Sequence, residues 1–75
     1  MNWEERITLD PKVLVGKPVI RGTRVPVARI LGGLAGGMTF DQLCREYEVS
    51  MEDIRAAIHY AEELVEQEAH YPLPS

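Results

Sequence analysis

Few residues of this chain could perform covalent or metal chemistry, and their spacing does not group them. The single cysteine, Cys44, falls on the apolar stripe of a predicted helix, where a packed thiol is expected rather than a reactive one. His59 has no second histidine one helical turn away, and His70 lies near the end of the sequence. Without a metal-ligand cluster or a nucleophile with its base, we expect no enzymatic activity and no cofactor.

Charge is divided unevenly along the chain. The first 38 residues hold six Lys and Arg against three Asp and Glu, whereas the remaining 37 hold two against nine. Glu62, Glu63, Glu66 and Glu68 have the spacing of a solvated helix face. Such asymmetry predicts an interaction surface, or mutual pairing of the two halves within the fold.

The positive charge is concentrated in residues 16–29, here called the basic segment. Its sequence is GKPVIRGTRVPVAR, and its cations are Lys17, Arg21, Arg24 and Arg29. Cations on a turn-rich segment can hold phosphates or the carboxylates of a protein partner. The alternative is that Arg21 and Arg24 bind within the chain, either to Glu62, Glu63 or Glu66 or to nearby backbone carbonyls.

Two or three short strands are predicted to carry the basic segment, within residues 6–25. Residues 7–9 alternate apolar and polar before Asp10-Pro11, and Val19-Ile20 forms a second apolar pair. Gly22 can supply a turn with positive φ. Pro26 has a fixed φ and no N–H, so we place it in the first turn of a helix.

Three helices are predicted, over about residues 26–36, 39–47 and 50–69, followed by a short tail at 70–75. Apolar residues at helical spacing define the core face of the first helix, namely Val27, Ile30, Leu31, Leu34 and Ala35. Gly32 and Gly33 within this helix suggest a close approach of backbone, and Gly36-Gly37 ends it. We expect residues 1–75 to form a single domain.

The second and third helices have clear start signals. Thr39 and Gln42 have the spacing of a capping box, and Ser50 is a suitable N-cap residue with acidic residues after it.

The two helices and the turn of about three residues between them resemble a helix-turn-helix. In that motif Cys44 permits a close crossing, Val49 fills the turn, and Ile54 and Ile58 anchor the second helix. Glu48 replaces the common turn glycine, which is tolerable if the turn avoids positive φ.

The expected fold class is therefore α+β, with a short N-terminal β-hairpin on a three-helix, helix-turn-helix core of the homeodomain-like or winged-helix-like kind. Its third helix is poorly suited to reading bases, because the leading turn presents Glu52 and Asp53 to a polyanion. Arg55 is the lone favourable charge on that helix. The basic segment is the better candidate for phosphate contact.

The runs PVIRGTRVPVARIL and GMTFDQLCREYEVSMEDIRAAIHYAEEL resemble the domain of unknown function family 433, over roughly residues 5–65. The most specific parts are Gly22-Thr23-Arg24, the Gly37 stop, and residues 53–57 leading into Tyr60-Ala61. The resemblance implies a VapB-type antitoxin that binds and silences a PIN-like ribonuclease toxin and also binds its own promoter DNA. PIN-type nucleases hold a metal between carboxylates, so Arg21 or Arg24 is a candidate plug for that acidic pocket.

The predicted contact residues are Lys17, Arg21, Thr23, Arg24, Arg29 and Arg55. We also expect a homodimer, because the third helix extends beyond the core with Leu64 and Val65 and suits a groove on the toxin or on a second copy.

The alternative function is a stand-alone helix-turn-helix transcriptional regulator without a toxin partner. With one cysteine and no long apolar stretch, the expected location is the cytoplasm, with no membrane contact.

Overall fold

Two short strands and three helices follow one another in the structure, a computed structural model that describes residues 2–12 and 14–67. A first 3-10 turn (Trp3–Glu5) precedes β1 (Ile7–Thr8), and a second 3-10 turn (Leu14–Gly16) precedes β2 (Val19–Ile20). The helices are α1 (Val27–Ala35), α2 (Phe40–Tyr47) and α3 (Met51–Gln67). This arrangement confirms the predicted α+β class. The expected end of the third helix at residue 69, the tail 70–75 and His70 lie outside the described residues.

The strands pair antiparallel, with Ile7 opposite Ile20 and Thr8 opposite Val19. The other edge of β2 continues the pairing, because the Ile20 N–H donates to the Val25 carbonyl at 2.9 Å and Val19 forms a bridge with Pro26. Pro26 therefore has an extended backbone (φ -67°, ψ 141°) and is the N-cap of α1. The prediction that Pro26 lies within the first helical turn is wrong by one residue, since its backbone still belongs to the sheet.

The C-terminus of α1 is fixed by glycines. Gly37 has φ 101°, and the N–H groups of Gly37 and Met38 donate to the carbonyls of Leu34 and Gly33 at 3.0 and 2.9 Å. This is a Schellman arrangement, and it confirms that the Gly-Gly pair ends the helix. Gly33 also provides a close approach, because a Cβ there would lie 2.7 Å from the Leu43 side chain. Gly32 faces open space, so the predicted close approach applies to Gly33 alone.

These two neighbouring glycines allow a matched test of packing. We expect Gly33→Ala to lower the free energy of unfolding by about 1 kcal/mol, since overpacking against the fully buried Leu43 exceeds the gain in helix propensity. Gly32→Ala should raise it by about 0.5 to 1 kcal/mol through propensity alone. Urea denaturation followed by circular dichroism measures both. Stabilisation by both substitutions would contradict the close contact between α1 and α2.

Both predicted helix starts are confirmed. Thr39 and Gln42 form a reciprocal capping box at α2, with side-chain to backbone distances of 3.1 and 2.8 Å. At α3 the Asp53 N–H donates to Ser50 Oγ at 3.1 Å, and the Ser50 N–H donates to Asp53 Oδ2 at 3.0 Å. The connection between them differs from expectation, because Glu48 adopts the left-handed conformation (φ 55°, ψ 46°). The turn needs positive φ there even though the residue is not glycine.

The core lies between the sheet and the inward faces of the three helices. Its buried members are Ile7, Ile20, Val27, Ile30, Leu43, Val49, Ile54, Ala56, Ala57 and Tyr60. Cys44 packs against this cluster, as predicted for a structural thiol. Ile58 was predicted to be an anchor of the third helix, but it is 40% exposed because it lies at the edge of the buried face, one turn after the fully buried Ile54. Among the described helices, none combines the length and apolarity that a membrane crossing requires.

Candidate functional site

The loop before β2 projects the first part of the basic segment into solvent. Val15 has φ 57° and is 93% exposed, and Gly16 follows with φ 79°. A β-branched residue at positive φ is unusual, so this loop has a defined shape that local propensity alone would not favour. Lys17 comes next and is exposed. The Val27 N–H donates to the Pro18 carbonyl at 2.9 Å, which holds Lys17 near the start of α1.

Arg21 binds the backbone of the N-terminal residues. Its Nε donates to the Glu5 carbonyl at 3.0 Å, and its Nη2 donates to the Glu4 and Ile7 carbonyls at 2.9 and 3.3 Å. A guanidinium has five donors in a planar fork, so one side chain can satisfy several carbonyls at the end of a short helix. Of the alternatives left open by the sequence, Arg21 takes the carbonyl contacts rather than the α3 glutamates. It positions the first 3-10 turn.

Thr23 organises the turn after β2. Its hydroxyl donates to the Ile20 carbonyl at 2.7 Å and accepts from the Val25 N–H at 3.0 Å, while Gly22 has φ 82°. Side-chain hydroxyls commonly stabilise turns in this way. With both hydrogen-bonding functions engaged and the side chain half-buried, Thr23 fixes the turn that presents the next residue, Arg24.

The other predicted cations are exposed and differ from Arg21 in their surroundings. The side chains of Lys17, Arg24, Arg29 and Arg55 have no hydrogen-bond or ion-pair partner among residues 2–12 and 14–67. Arg24 follows the turn that Thr23 fixes, and Arg29 lies in the first part of α1. Arg55 lies on α3, away from the basic segment in the chain. The predicted set therefore divides into Arg21 and Thr23, whose side chains bind backbone groups, and four cations whose side chains have no partner in the described part of the chain.

The N-terminal residues, rather than the basic segment, bind the carboxylates of α3. Arg6 Nη1 lies 3.1 Å from Asp53 Oδ1 in an ion pair whose side chains are 42% and 18% exposed. Trp3 Nε1 donates to Glu63 Oε2 at 2.6 Å, and its ring meets Tyr60 edge-on with centroids 4.8 Å apart. Sequence reasoning missed both residues. A lone tryptophan among charged residues was the available signal, since such a ring usually finds an apolar surface and a hydrogen-bond acceptor.

The residues with potential for covalent or metal chemistry remain dispersed. His59 Nε2 lies 3.5 Å from Glu63 Oε1 and 3.9 Å from Glu62 Oε1, and Cys44 is half-buried on α2. No group of three or more His, Cys, Asp or Glu side chains is placed to hold a metal ion in the described part of the chain. A shallow surface depression of about 450 Å³ is lined by Met38, Gln42, Arg45 and Glu46, away from the predicted contact residues.

Comparison with protein families places most of the chain in one of them. The profile of the family described as a protein of unknown function (DUF433) matches residues 7–61. The uncharacterised protein y4eO of Sinorhizobium fredii is 39% identical over 59 residues, which are 77% of this chain. A Mycobacterium tuberculosis protein that bears the name of a candidate antitoxin, VapB45, is 36% identical over 55 residues, which are 73% of this chain. This chain covers only 27% and 23% of the lengths of those two relatives.

Two solved structures share this fold at moderate sequence identity. The crystal structure of a DUF433 member protein from Anabaena variabilis aligns with a TM-score of 0.74 and 35% identity, over 83% of this chain and 62% of that one. The crystal structure of Rv2018 from Mycobacterium tuberculosis aligns with a TM-score of 0.67 and 34% identity, over 76% of this chain and 27% of that one.

Proposed function

We propose that this chain, which belongs to the DUF433 family, is a non-enzymatic regulatory protein that acts as the antitoxin of a toxin–antitoxin pair by binding a PIN-like ribonuclease. The family membership predicted from the sequence is confirmed by the match over residues 7–61. The name of one relative, the candidate antitoxin VapB45, supports this role. The toxin, the surface that binds it and any DNA contact are parts of the proposal.

The observation that carries the proposal is the presentation of Arg24. Its turn is fixed by two hydrogen bonds of the Thr23 hydroxyl and by the Gly22 conformation, so the backbone is ordered before any partner binds. The neighbouring Arg21 is already engaged with backbone carbonyls. A guanidinium on a preorganised turn loses little entropy when it meets a carboxylate, and the paired hydrogen bonds are strong. Lys17 and Arg29 belong to the same basic segment and are also exposed.

This geometry favours Arg24 over Arg21 as the residue that enters an acidic pocket on the toxin. Arg21 would have to leave three carbonyls to do so. The exposed Arg24 side chain would break no hydrogen bond to the described part of the chain. We therefore assign the plug role to Arg24 and assign Arg21 the role of holding the N-terminal residues in place.

The test is co-expression and co-purification of the chain with a PIN-like ribonuclease from the same genome, followed by measurement of the affinity of the pair. We expect Arg24→Ala to weaken binding by about tenfold or more, as the loss of a charge-assisted hydrogen-bonded pair implies. The matched control is Arg45→Ala, which removes an exposed arginine on α2 outside the basic segment. Failure to form a complex would overturn the antitoxin proposal, and equal effects of both substitutions would overturn the role of Arg24.

DNA binding is the second candidate function, and the arrangement of α2 and α3 favours it. The two helices are joined by residues 48–50 with Val49 buried in the connection, as in a helix-turn-helix. The first turn of α3 nevertheless presents Glu52, and Asp53 is engaged with Ser50 and Arg6. Phosphate contact through Lys17, Arg24 and Arg29 is the mode that we propose. The stand-alone regulator would be favoured if the chain retards a promoter fragment in a gel at low salt and forms no complex with the PIN-like protein.

A further inference from the structure

An exposed stripe of residues runs along α3 at the edge of its buried face. Its members recur at spacings of four and three residues and are all exposed; they are Met51, Arg55, Ile58, Glu62 and Val65. The apolar members are 40%, 40% and 58% exposed, in chain order. Spacings of four and three are those of a helix that packs along another helix. The buried residue Ile54 lies one helical turn before Ile58, whereas Ala57 and Tyr60 are turned further away from the stripe, so the stripe borders the buried face of α3.

The order of residues in this stripe is symmetric about Ile58 in hydrophobicity and opposite in charge. An apolar residue stands at each end and at the centre, with Arg55 in the N-terminal half and Glu62 in the C-terminal half. Two such helices laid antiparallel would place Met51 against Val65, Ile58 against Ile58, and each arginine against the partner copy's glutamate. A parallel pair would instead oppose like charges, which is unfavourable.

We propose that the α3 stripe is the docking surface for a second copy of this chain, with the two α3 helices antiparallel about a two-fold axis at Ile58. A two-fold interface must be complementary to itself, and the arrangement of Arg55 and Glu62 meets that condition. Both groups are available. The Arg55 side chain has no partner within the described part of the chain, and the Glu62 carboxylate makes only a 3.9 Å contact with His59 there.

This inference deepens the proposed function, because it names the surface of the expected homodimer and separates it from the basic segment. Helix α3 has 17 residues and is about 25 Å long, so the contact is short and the dimer is expected to be weak. Arg55 is thereby assigned to self-association rather than to nucleic acid. The basic segment of each copy stays free for a toxin or for phosphates.

Charge reversal tests the pairing in the chain alone, without a toxin or DNA. Sedimentation equilibrium between about 1 and 500 µM should show a monomer–dimer equilibrium for the natural chain. We expect Arg55→Glu and Glu62→Arg each to weaken the dimer by about tenfold or more, because each substitution creates two like-charge pairs in a symmetric dimer. The double variant should restore dimerisation. Unchanged thermal unfolding of each variant at low concentration verifies that the fold is intact.

Disulfide trapping then distinguishes the antiparallel arrangement, in a background where Cys44 is replaced by Ala. A Met51→Cys chain mixed with a Val65→Cys chain should crosslink readily, whereas either variant alone should not, since like positions would lie about 21 Å apart. Crosslinking of Met51→Cys with itself would overturn the antiparallel register. A natural chain that stays monomeric throughout the concentration range would overturn the proposal, and it would leave the toxin-binding result unaffected.

Discussion

Replacing Trp3 by Ala is expected to lower the free energy of unfolding by about 3 kcal/mol, the largest effect of any substitution outside the buried core. The ring packs against the core, meets Tyr60 edge-on at 4.8 Å and donates a hydrogen bond to Glu63 at 2.6 Å. Removing it also frees the first 3-10 turn from α3. Because a chain of this length buries only a small core and is marginally stable, we expect a substantial unfolded fraction at 37 °C.

Urea denaturation followed by far-ultraviolet circular dichroism measures this effect without relying on tryptophan fluorescence. Trp3→Phe is the matched control, because it keeps an aromatic ring beside Tyr60 and removes only the Nε1 donor. We expect it to cost about 1 kcal/mol, the usual value for one lost hydrogen bond with most of the packing retained. A cost below about 1 kcal/mol for Trp3→Ala would show that the N-terminal residues are not anchored through this ring.

Asp53→Ala is expected to have the second largest effect, a loss of about 2 kcal/mol in the free energy of unfolding. One carboxylate oxygen pairs with Arg6 Nη1 at 3.1 Å, and the other accepts the Ser50 N–H at 3.0 Å. The substitution therefore removes half of a capping box and one connection between the N-terminal residues and α3. The ion pair is partly exposed, so we attribute the larger share to the cap.

Two further variants separate these contributions. Glu52→Ala removes the neighbouring acid of the same helical turn, whose exposed side chain has no hydrogen-bond partner within residues 2–12 and 14–67, and should cost at most about 0.5 kcal/mol through the helix dipole. Asp53→Asn keeps a side-chain oxygen for the Ser50 N–H and loses the charge opposite Arg6. We expect an intermediate cost, measured by thermal or urea unfolding. Equal costs for Glu52→Ala and Asp53→Ala would contradict the dual role of Asp53.

Elements governed by local chemistry were predictable from the sequence. The capping box of Thr39 and Gln42, the Ser50 cap and the Gly37 stop each depend on residues within three or four positions, so a short window contains the whole signal. The buried residues of the two strands were predictable for the same reason, because Ile7 and Val19-Ile20 are apolar residues flanked by turn-forming residues. Family membership was also accessible, since its distinctive residues lie in two continuous runs.

Features that depend on distant residues were not predictable from local patterns. The contacts of Trp3 with Glu63 and of Arg6 with Asp53 span 60 and 47 positions, and neither pair leaves a periodic signature. The positive charge of the basic segment predicted hydrogen-bond donors, but it did not indicate which of these donors bind groups within the chain. Arg21 and Thr23 satisfy backbone groups. The binding roles of Lys17, Arg24, Arg29 and Arg55 stay predictions.

The long-range contacts of Trp3 and Arg6 also have a kinetic consequence. Each closes a loop of most of the chain, whereas α1, α2 and α3 are joined by short connections and can meet early in folding. The N-terminal residues should therefore dock last and detach first. Transient opening at this end would expose the apolar surface around Tyr60 while the helices stay assembled.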